Sequence, residues 1–209
     1  MYFVKECYSH EQDIKKSNFA SYICPFSEFE ELKSRLKDEN PKAAHIVWAY
    51  RYYNKYFQIV ENSSDDGEPK GSSGPPCLDA LRGANLIDTA VIVVRYFGGV
   101  KLGVGGLVRA YGSSANLAIN KAQLIKYVSR NIASLFVPFS LLSRFDYYDD
   151  KNGLNADKSY SQSGCVYEFN LSLDEFANLH KFVLGYEMAG VEYYAVPLEA
   201  KNLFIKSKF

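Results

Sequence analysis

The sequence predicts an α+β chain of two domains. Three observations predict it: a strand, glycine-rich loop and helix follow one another in its middle, strand and helix signals restart past residue 130, and 47% hydrophobic content over 209 residues suffices for two modest cores. The domains are read as 1–130 and 131–209.

Residues 2–9 and 17–24 are rich in aromatic and β-branched side chains and read as strands joined by a polar turn. In "SEFEELKSRLKDEN", Ser27 and Glu30 have capping-box spacing and Phe29, Leu32 and Leu36 recur at helical intervals, with Pro41 beyond the end. Two strands follow, "AAHIVWAYRYY" and "YFQIVEN", with an Asn54-Lys55 turn between them. After a polar run from Ser63, Pro75-Pro76 suit the first turn of a short helix ending at Gly83 or Asn85. "DTAVIVVRYF" is nearly continuous in apolar residues, as in a strand buried on both faces. It feeds "GGVKLGVGGLVRAYGSSANLAINKA", a glycine-rich turn entering a long helix, which makes a βαβ-type domain with a mixed sheet.

Past residue 130, "IASLFVPFSLL" reads as strand or strand-to-helix, "DYYDDKNGLNADKS" as polar and "GCVYEFNLSL" as strand. Asp174 is placed as cap of the helix "EFANLHKFVLGYEMAG", and "VEYYAVPLEA" as the last strand. A β-α-β-β-α-β arrangement fits this length.

Twenty-four basic and 24 acidic residues cancel, which excludes a wholesale cationic nucleic-acid binder. Residues 1–130 hold 17 Lys/Arg against 14 Asp/Glu, and residues 131–209 hold 7 against 10, a small asymmetry that permits a local basic patch on the first part and shows nothing stronger. The cysteines at 7, 24, 77 and 165 and the histidines at 10, 45 and 180 lack metal or redox spacing. No metal is expected, and reduced cysteines fit a cytoplasmic protein. Neither a cleavable leader nor an apolar run of about 20 residues is present, so no membrane partner is expected.

The run "SSDDGEPKGSSGPP", Ser63 to Pro76, has no apolar side chain but proline, yet core elements flank it. Loops of this length are uncommon and tend to be functional or disordered. Each glycine-rich loop adjoins a helix start, where free N–H groups and the helix dipole favour anions. Lys101 and Arg109 lie near one such end and Arg95 closes the strand before it, as a phosphate or RNA-backbone site would require; the alternative is that the glycines only permit tight turns. Neither loop matches a nucleotide fingerprint, so no cofactor is expected. Asp65, Asp66 and Glu68 read either as a general acid or hard-cation set or as Asx-turn caps of backbone N–H groups, with the caps preferred. On the strand through "AHIVWAYRYY", Ile46, Trp48, Tyr50 and Tyr52 take the core side. His45 and Arg51 share the other face and are candidates because that face need not be buried. No nucleophilic triad can be assembled and no catalytic residue is assigned.

"KKSNF" (15–19), "HIVWAYR" (45–51), "SDDGEPKGSSGPP" (64–76) and "RYFGGVKLGVGGLVRAYG" (95–112) resemble motifs of the IMPACT/YigZ family, in the family's order and over most of residues 1–125. Residues 131–209 are similar to its smaller C-terminal domain in placement and pattern. The resemblance implies a ribosomal-protein-like N-terminal domain, a ferredoxin-like C-terminal domain, and a polar run that is a fixed motif rather than a linker. Eukaryotic relatives regulate translation by competing for an activator of a stress kinase. The function expected is a translation-associated binding protein that contacts RNA, the ribosome or a protein partner. Its groove is drawn between Asp65–Gly74 and Arg95–Arg109, with Arg95, Lys101 and Arg109 as cations and His45 and Arg51 beside them. Asp65, Asp66 and Glu68 would fix the loop or bind a partner's cations, and Lys70, Ser72 and Tyr96 complete the candidate set. The alternative is an enzyme acting on a small phosphorylated or nucleotide substrate, with Asp66 or Glu68 as base or Mg²⁺ ligand. A third reading has Tyr193 and Tyr194 exposed for contact with another protein.

Overall fold

The computed structural model describes residues 1–54, 58–197 and 200, and it divides into two compact units, Met1–Tyr127 and Val128–Phe209. The first runs β1 (Tyr2–Phe3), β2 (Tyr8–Ile14), β3 (Ser17–Pro25), α1 (Phe29–Glu39), β4 (His45–Tyr53), β5 (Ile59–Ser64), α2 (Gly74–Gly83), β6 (Thr89–Tyr96), α3 (Val104–Lys121) and β7 (Ile125–Lys126).

Five strands form one sheet in the order β2-β3-β6-β4-β5, with β6 at its centre. All four pairings are antiparallel, which corrects the mixed sheet expected from the βαβ pattern. The helical crossover α1 does join two parallel strands, β3 and β4. The slot between them is filled by β6, which runs opposite to both, so β3 and β4 each bond to β6 and not to each other. Central position explains the continuous apolar run of β6. Val91 and Val93 face α2 and α3 with Phe19, Ile23, Val47, Leu107 and Tyr111, while Ala90, Ile92 and Val94 face α1 with Phe29, Leu32 and Leu36.

Local departures from the sequence reading have local causes. The strand expected over 2–9 divides into β1 and β2 because β1 pairs with β7, whereas β2 turns back on β3. That turn is Lys15-Lys16, both at positive φ (47° and 69°), a hairpin geometry in residues that carry none of its usual Asn-Gly signal. The Ser27–Glu30 capping box does not form, because a 3₁₀ turn over Phe26–Glu28 already winds through Ser27. The Asn54-Lys55 turn reaches outside the described residues.

The second unit comprises β8 (Arg130–Pro138), α4 (Leu142–Asn152), β9 (Asp157–Tyr160), β10 (Gly164–Ser172), α5 (Leu173–Val183) and β11 (Glu192–Ala195). Its sheet order β11-β8-β10-β9, antiparallel throughout, is the ferredoxin-like arrangement. One sheet face buries Leu135, Val137, Tyr167, Phe169 and Leu171 against Phe145 of α4 and Phe176 and Leu179 of α5. The segment read as polar contains most of α4, whose fully buried residues are only Phe145 and Asp149. Ser172, not Asp174, caps α5, in a reciprocal capping box with Glu175. Tyr193 is half-buried against Phe176, while Tyr194 is exposed. Leu198 and Glu199, at the end of the expected last strand, lie outside the described residues. No helix among the described residues is long and apolar enough to cross a membrane.

Candidate functional site

The polar run between β5 and α2 is held by its own acids. Asp65 accepts hydrogen bonds from the Gly71, Ser73 and Gly74 N–H groups at 2.7, 3.1 and 2.9 Å and from the Ser73 hydroxyl at 2.8 Å. It thereby occupies the anion position at the start of α2. Asp66, at φ +43°, accepts from the Ile46 N–H through its carboxylate at 2.6 Å, and its carbonyl accepts from His45 Nδ1–H at 2.7 Å. These two bonds fasten the loop to the first residues of β4 and fix the histidine tautomer, leaving Nε2 turned toward Glu68 Oε2 at 3.8 Å.

Glu68 goes furthest inward. It is 8% exposed, and its Oε1 accepts from Arg95 Nη1 at 2.5 Å and from the Tyr111 hydroxyl at 2.8 Å. Arg95, 5% exposed, also reaches the Ser17 hydroxyl at 3.4 Å and lies over the rings of Phe19 and Phe97. A carboxylate from the loop, a guanidinium from the end of β6 and a phenol from α3 thus form one desolvated network, whose charges cancel. Burial, followed by the bond to Glu68, pushes the Tyr111 hydroxyl far above its ordinary range, so it remains a donor.

Above this network lies a recess of about 410 Å³, lined by His45, Glu68, Pro69, Arg95, Phe97, Lys101, Leu102, Gly103, Val104 and Leu107. The loop before α2 and the loop before α3 therefore face each other across it. Lys101 is exposed at its rim, and Phe97 is 52% exposed. Ser17 anchors the second loop, accepting from Gly98 N–H at 3.2 Å. A larger hollow of about 630 Å³ is lined by Phe26, Tyr52, Tyr53 and Asp88, among others, but neither motif loop reaches it and Asp88 is engaged by the Tyr53 N–H. The smaller recess is the better candidate because charge and backbone converge there.

Several expected site residues lie elsewhere. The face shared by His45 and Arg51 is buried by α2, and Arg51 points there, donating to Glu61 at 2.7 Å and to the Leu86 carbonyl at 2.8 Å. Six residues along a strand also separate it from His45 by about 20 Å. Tyr96 faces α1, where its hydroxyl donates to Asn40 at 2.6 Å, because adjacent strand residues point to opposite faces. Arg109 and Lys70 are exposed and line no part of the recess, and Ser72 is buried, donating to the Pro69 carbonyl at 2.6 Å. Ser17, Phe97 and Tyr111 are contributors that sequence reading passed over. Tyr111 stands four residues after Leu107 on an apolar helix stripe, so its spacing reads as core.

No group of three or more His, Cys, Asp or Glu among the described residues could hold a metal ion. The cysteines are free thiols. Burial pushes Cys24 up to about 12 and Cys77 higher still, so neither is a thiolate at neutral pH.

Burial alone would raise the Asp65 carboxyl, but the bonds from Gly71, Gly74 and Ser73 outweigh it and hold the group below the ordinary aspartate value. Its folded value is therefore below its unfolded one. The resulting stability is fully present above pH of about 4 and is lost as pH falls through the folded value. Asp65→Ala is expected to cost about 2 kcal/mol at pH 7, through the lost cap and the buried donors left without acceptors. In urea titrations the gap from the parent protein should narrow at pH 3; a gap equal at both values would contradict this role.

A family model described as the Impact N-terminal domain matches residues 15–119, half of the chain and all of both motif loops. An IMPACT family member of Haemophilus influenzae is 38% identical over 128 residues, which are 60% of this chain and 62% of that protein's length. An IMPACT family member of Thermus thermophilus, encoded in a pol 5′ region, is 37% identical over 159 residues, covering 76% of this chain and 86% of its own. A crystal structure described as that of an hypothetical protein superposes with a TM-score of 0.69 over 94% of this chain and 97% of its own, at 23% identity, a likeness of fold. On these matches, and with both motif loops inside the matched region, the chain belongs to the IMPACT family.

Proposed function

We propose that this protein is a translation-associated binding protein and that the recess between the two motif loops is where its partner docks. The supporting observation is how its charged groups are used. Asp65, Asp66 and Glu68 all serve as internal acceptors, and Arg95 is balanced by Glu68. Lys101, Phe97 and the backbone at the start of α3 remain turned outward. Such a recess binds; it offers no free carboxylate for proton transfer, since a base at Glu68 would have to give up its bonds to Arg95 and Tyr111. Family membership supports the link to translation, and a cytoplasmic location accords with it.

The test is co-sedimentation of the full chain with ribosomes at low ionic strength. Lys101→Glu combined with Phe97→Ala is expected to weaken binding by about tenfold or more, the loss of one charge-assisted contact and one stacking surface. Raising the salt should weaken the parent's binding as well, if phosphates are contacted. Equal retention of parent and variant would place the contact elsewhere.

A further inference from the structure

We infer that the recess is a seat for a single phosphorylated nucleotide from an unpaired stretch of RNA, with the phosphate on the start of α3 and the base against Phe97. This rests on the recess being the docking site. The two helices that begin at motif loops differ at their N-termini. At α2 the free N–H groups are taken by Asp65. At α3, 18 residues long, Gly103 precedes the first turn and no side chain caps it. Leu107 makes the first bond back, to the Gly103 carbonyl, so Val104, Gly105 and Gly106 have N–H groups without intrahelical acceptors. An oxyanion can come close from the Gly103 side, where a Cβ would meet nothing within 4 Å; a Cβ at Gly105 would meet Arg109 Nη1 at 3.8 Å and one at Gly106 the Leu102 Cβ at 3.1 Å, so approach there needs the side chains to be missing.

A second observation comes from Arg95. Its guanidinium lines the recess and is more than nine-tenths buried, yet its Nε has no hydrogen-bond partner among the described residues. Glu68 cancels this charge, leaving Lys101 as the net cation of the lining, while Arg109 Nη1 stands 3.8 Å from the Cβ position of Gly105 at the helix start. Lys101, a helix end of about half a charge and Arg109 beside the first turn together suit a phosphate. The remaining lining is apolar. Pro69, Leu102, Val104 and Leu107 form walls fit for a flat ring, and Phe97 at the mouth offers the stacking face. The volume of about 410 Å³ holds one small ligand, so a base must leave any helical stack to enter.

Titration of the ¹⁵N-labelled full chain with AMP, adenosine, inorganic phosphate and ATP tests this. AMP is expected to shift the Gly105 and Gly106 amides and the Phe97 ring, and phosphate the amides alone, in competition with AMP. Phe97→Ala should weaken AMP about tenfold and leave phosphate unchanged, whereas Lys101→Glu should weaken both. Adenosine or ATP binding as tightly as AMP would overturn the inference, as would shifts remote from α3. If AMP and phosphate are silent while ribosome binding still depends on Lys101 and Phe97, the nucleotide seat falls and the docking recess stands. If ribosome binding is insensitive to them too, both fall.

Discussion

Glu68→Ala is expected to lower the unfolding free energy by about 3–5 kcal/mol, because it strands a buried guanidinium. Arg95 loses its counter-charge, and the Tyr111 hydroxyl loses its acceptor in the same substitution. Glu68→Gln should fall between alanine and the parent, since an amide oxygen still accepts from both donors but carries no charge. The double variant Glu68→Leu with Arg95→Met removes both charges together. It should be more stable than the Arg95→Met single variant combined additively with Glu68→Leu, by a coupling of about 2 kcal/mol. Urea unfolding of the parent and these five variants checks this, and a Glu68→Ala loss within about 0.5 kcal/mol would show that the pair is not desolvated. The recess gives an independent sign. Glu68→Gln uncovers the charge of Arg95, so inorganic phosphate should bind this variant more tightly than the parent.

Gly98→Ala carries the second large effect. A Cβ at this position would stand 1.8 Å from the Lys16 carbonyl oxygen, 2.0 Å from its carbon and 2.6 Å from the Ser17 nitrogen. These are backbone atoms of the β2–β3 hairpin, and no rotamer change can clear them. The strand end must part from the hairpin, at a cost of about 3 kcal/mol or more. The same displacement breaks the Gly98–Ser17 bond and carries Phe97 and Lys101 away from the start of α3, so ligand affinity should fall with stability. Gly83→Ala is the matched control. Nothing lies within 4 Å of a Cβ there, and at the last position of α2 alanine should be neutral or stabilise by up to about 1 kcal/mol. Thermal melts that rank the two variants equally would remove the argument.

Capping boxes show how far spacing alone reaches. Ser27–Glu30 and Ser172–Glu175 have the same spacing, yet only the second closes. Before α1 the chain leaves β3 in a 3₁₀ turn that already uses Ser27, whereas Ser172 leaves β10 in extended geometry, as a cap requires. The helix α4 was illegible for a different reason. Only two of its residues are fully buried, one of them Asp149, with Leu142 and Tyr148 partly buried beside them, so its apolar stripe is too thin for the periodicity to register. Arg51 is the sharpest case at the site. Alternation along β4 correctly puts it on the face of His45, but which residues α2 covers depends on Glu61 and Leu86, which come from other segments.

By itself the sequence determined the α+β plan, the double burial of β6 and the place of the two motif loops at helix starts. Those features follow from local propensity, hydrophobic period and motif, which act within a few residues. Only the tertiary structure decided that β6 enters antiparallel between β3 and β4. It also decided that Asp65 closes one helix end while the other stays open, and that Arg95 spends its charge on Glu68. Each of these rests on pairings between groups 6 to 27 residues apart or more, and a buried charge or hydrogen bond has a partner only once the packed chain has brought one to it.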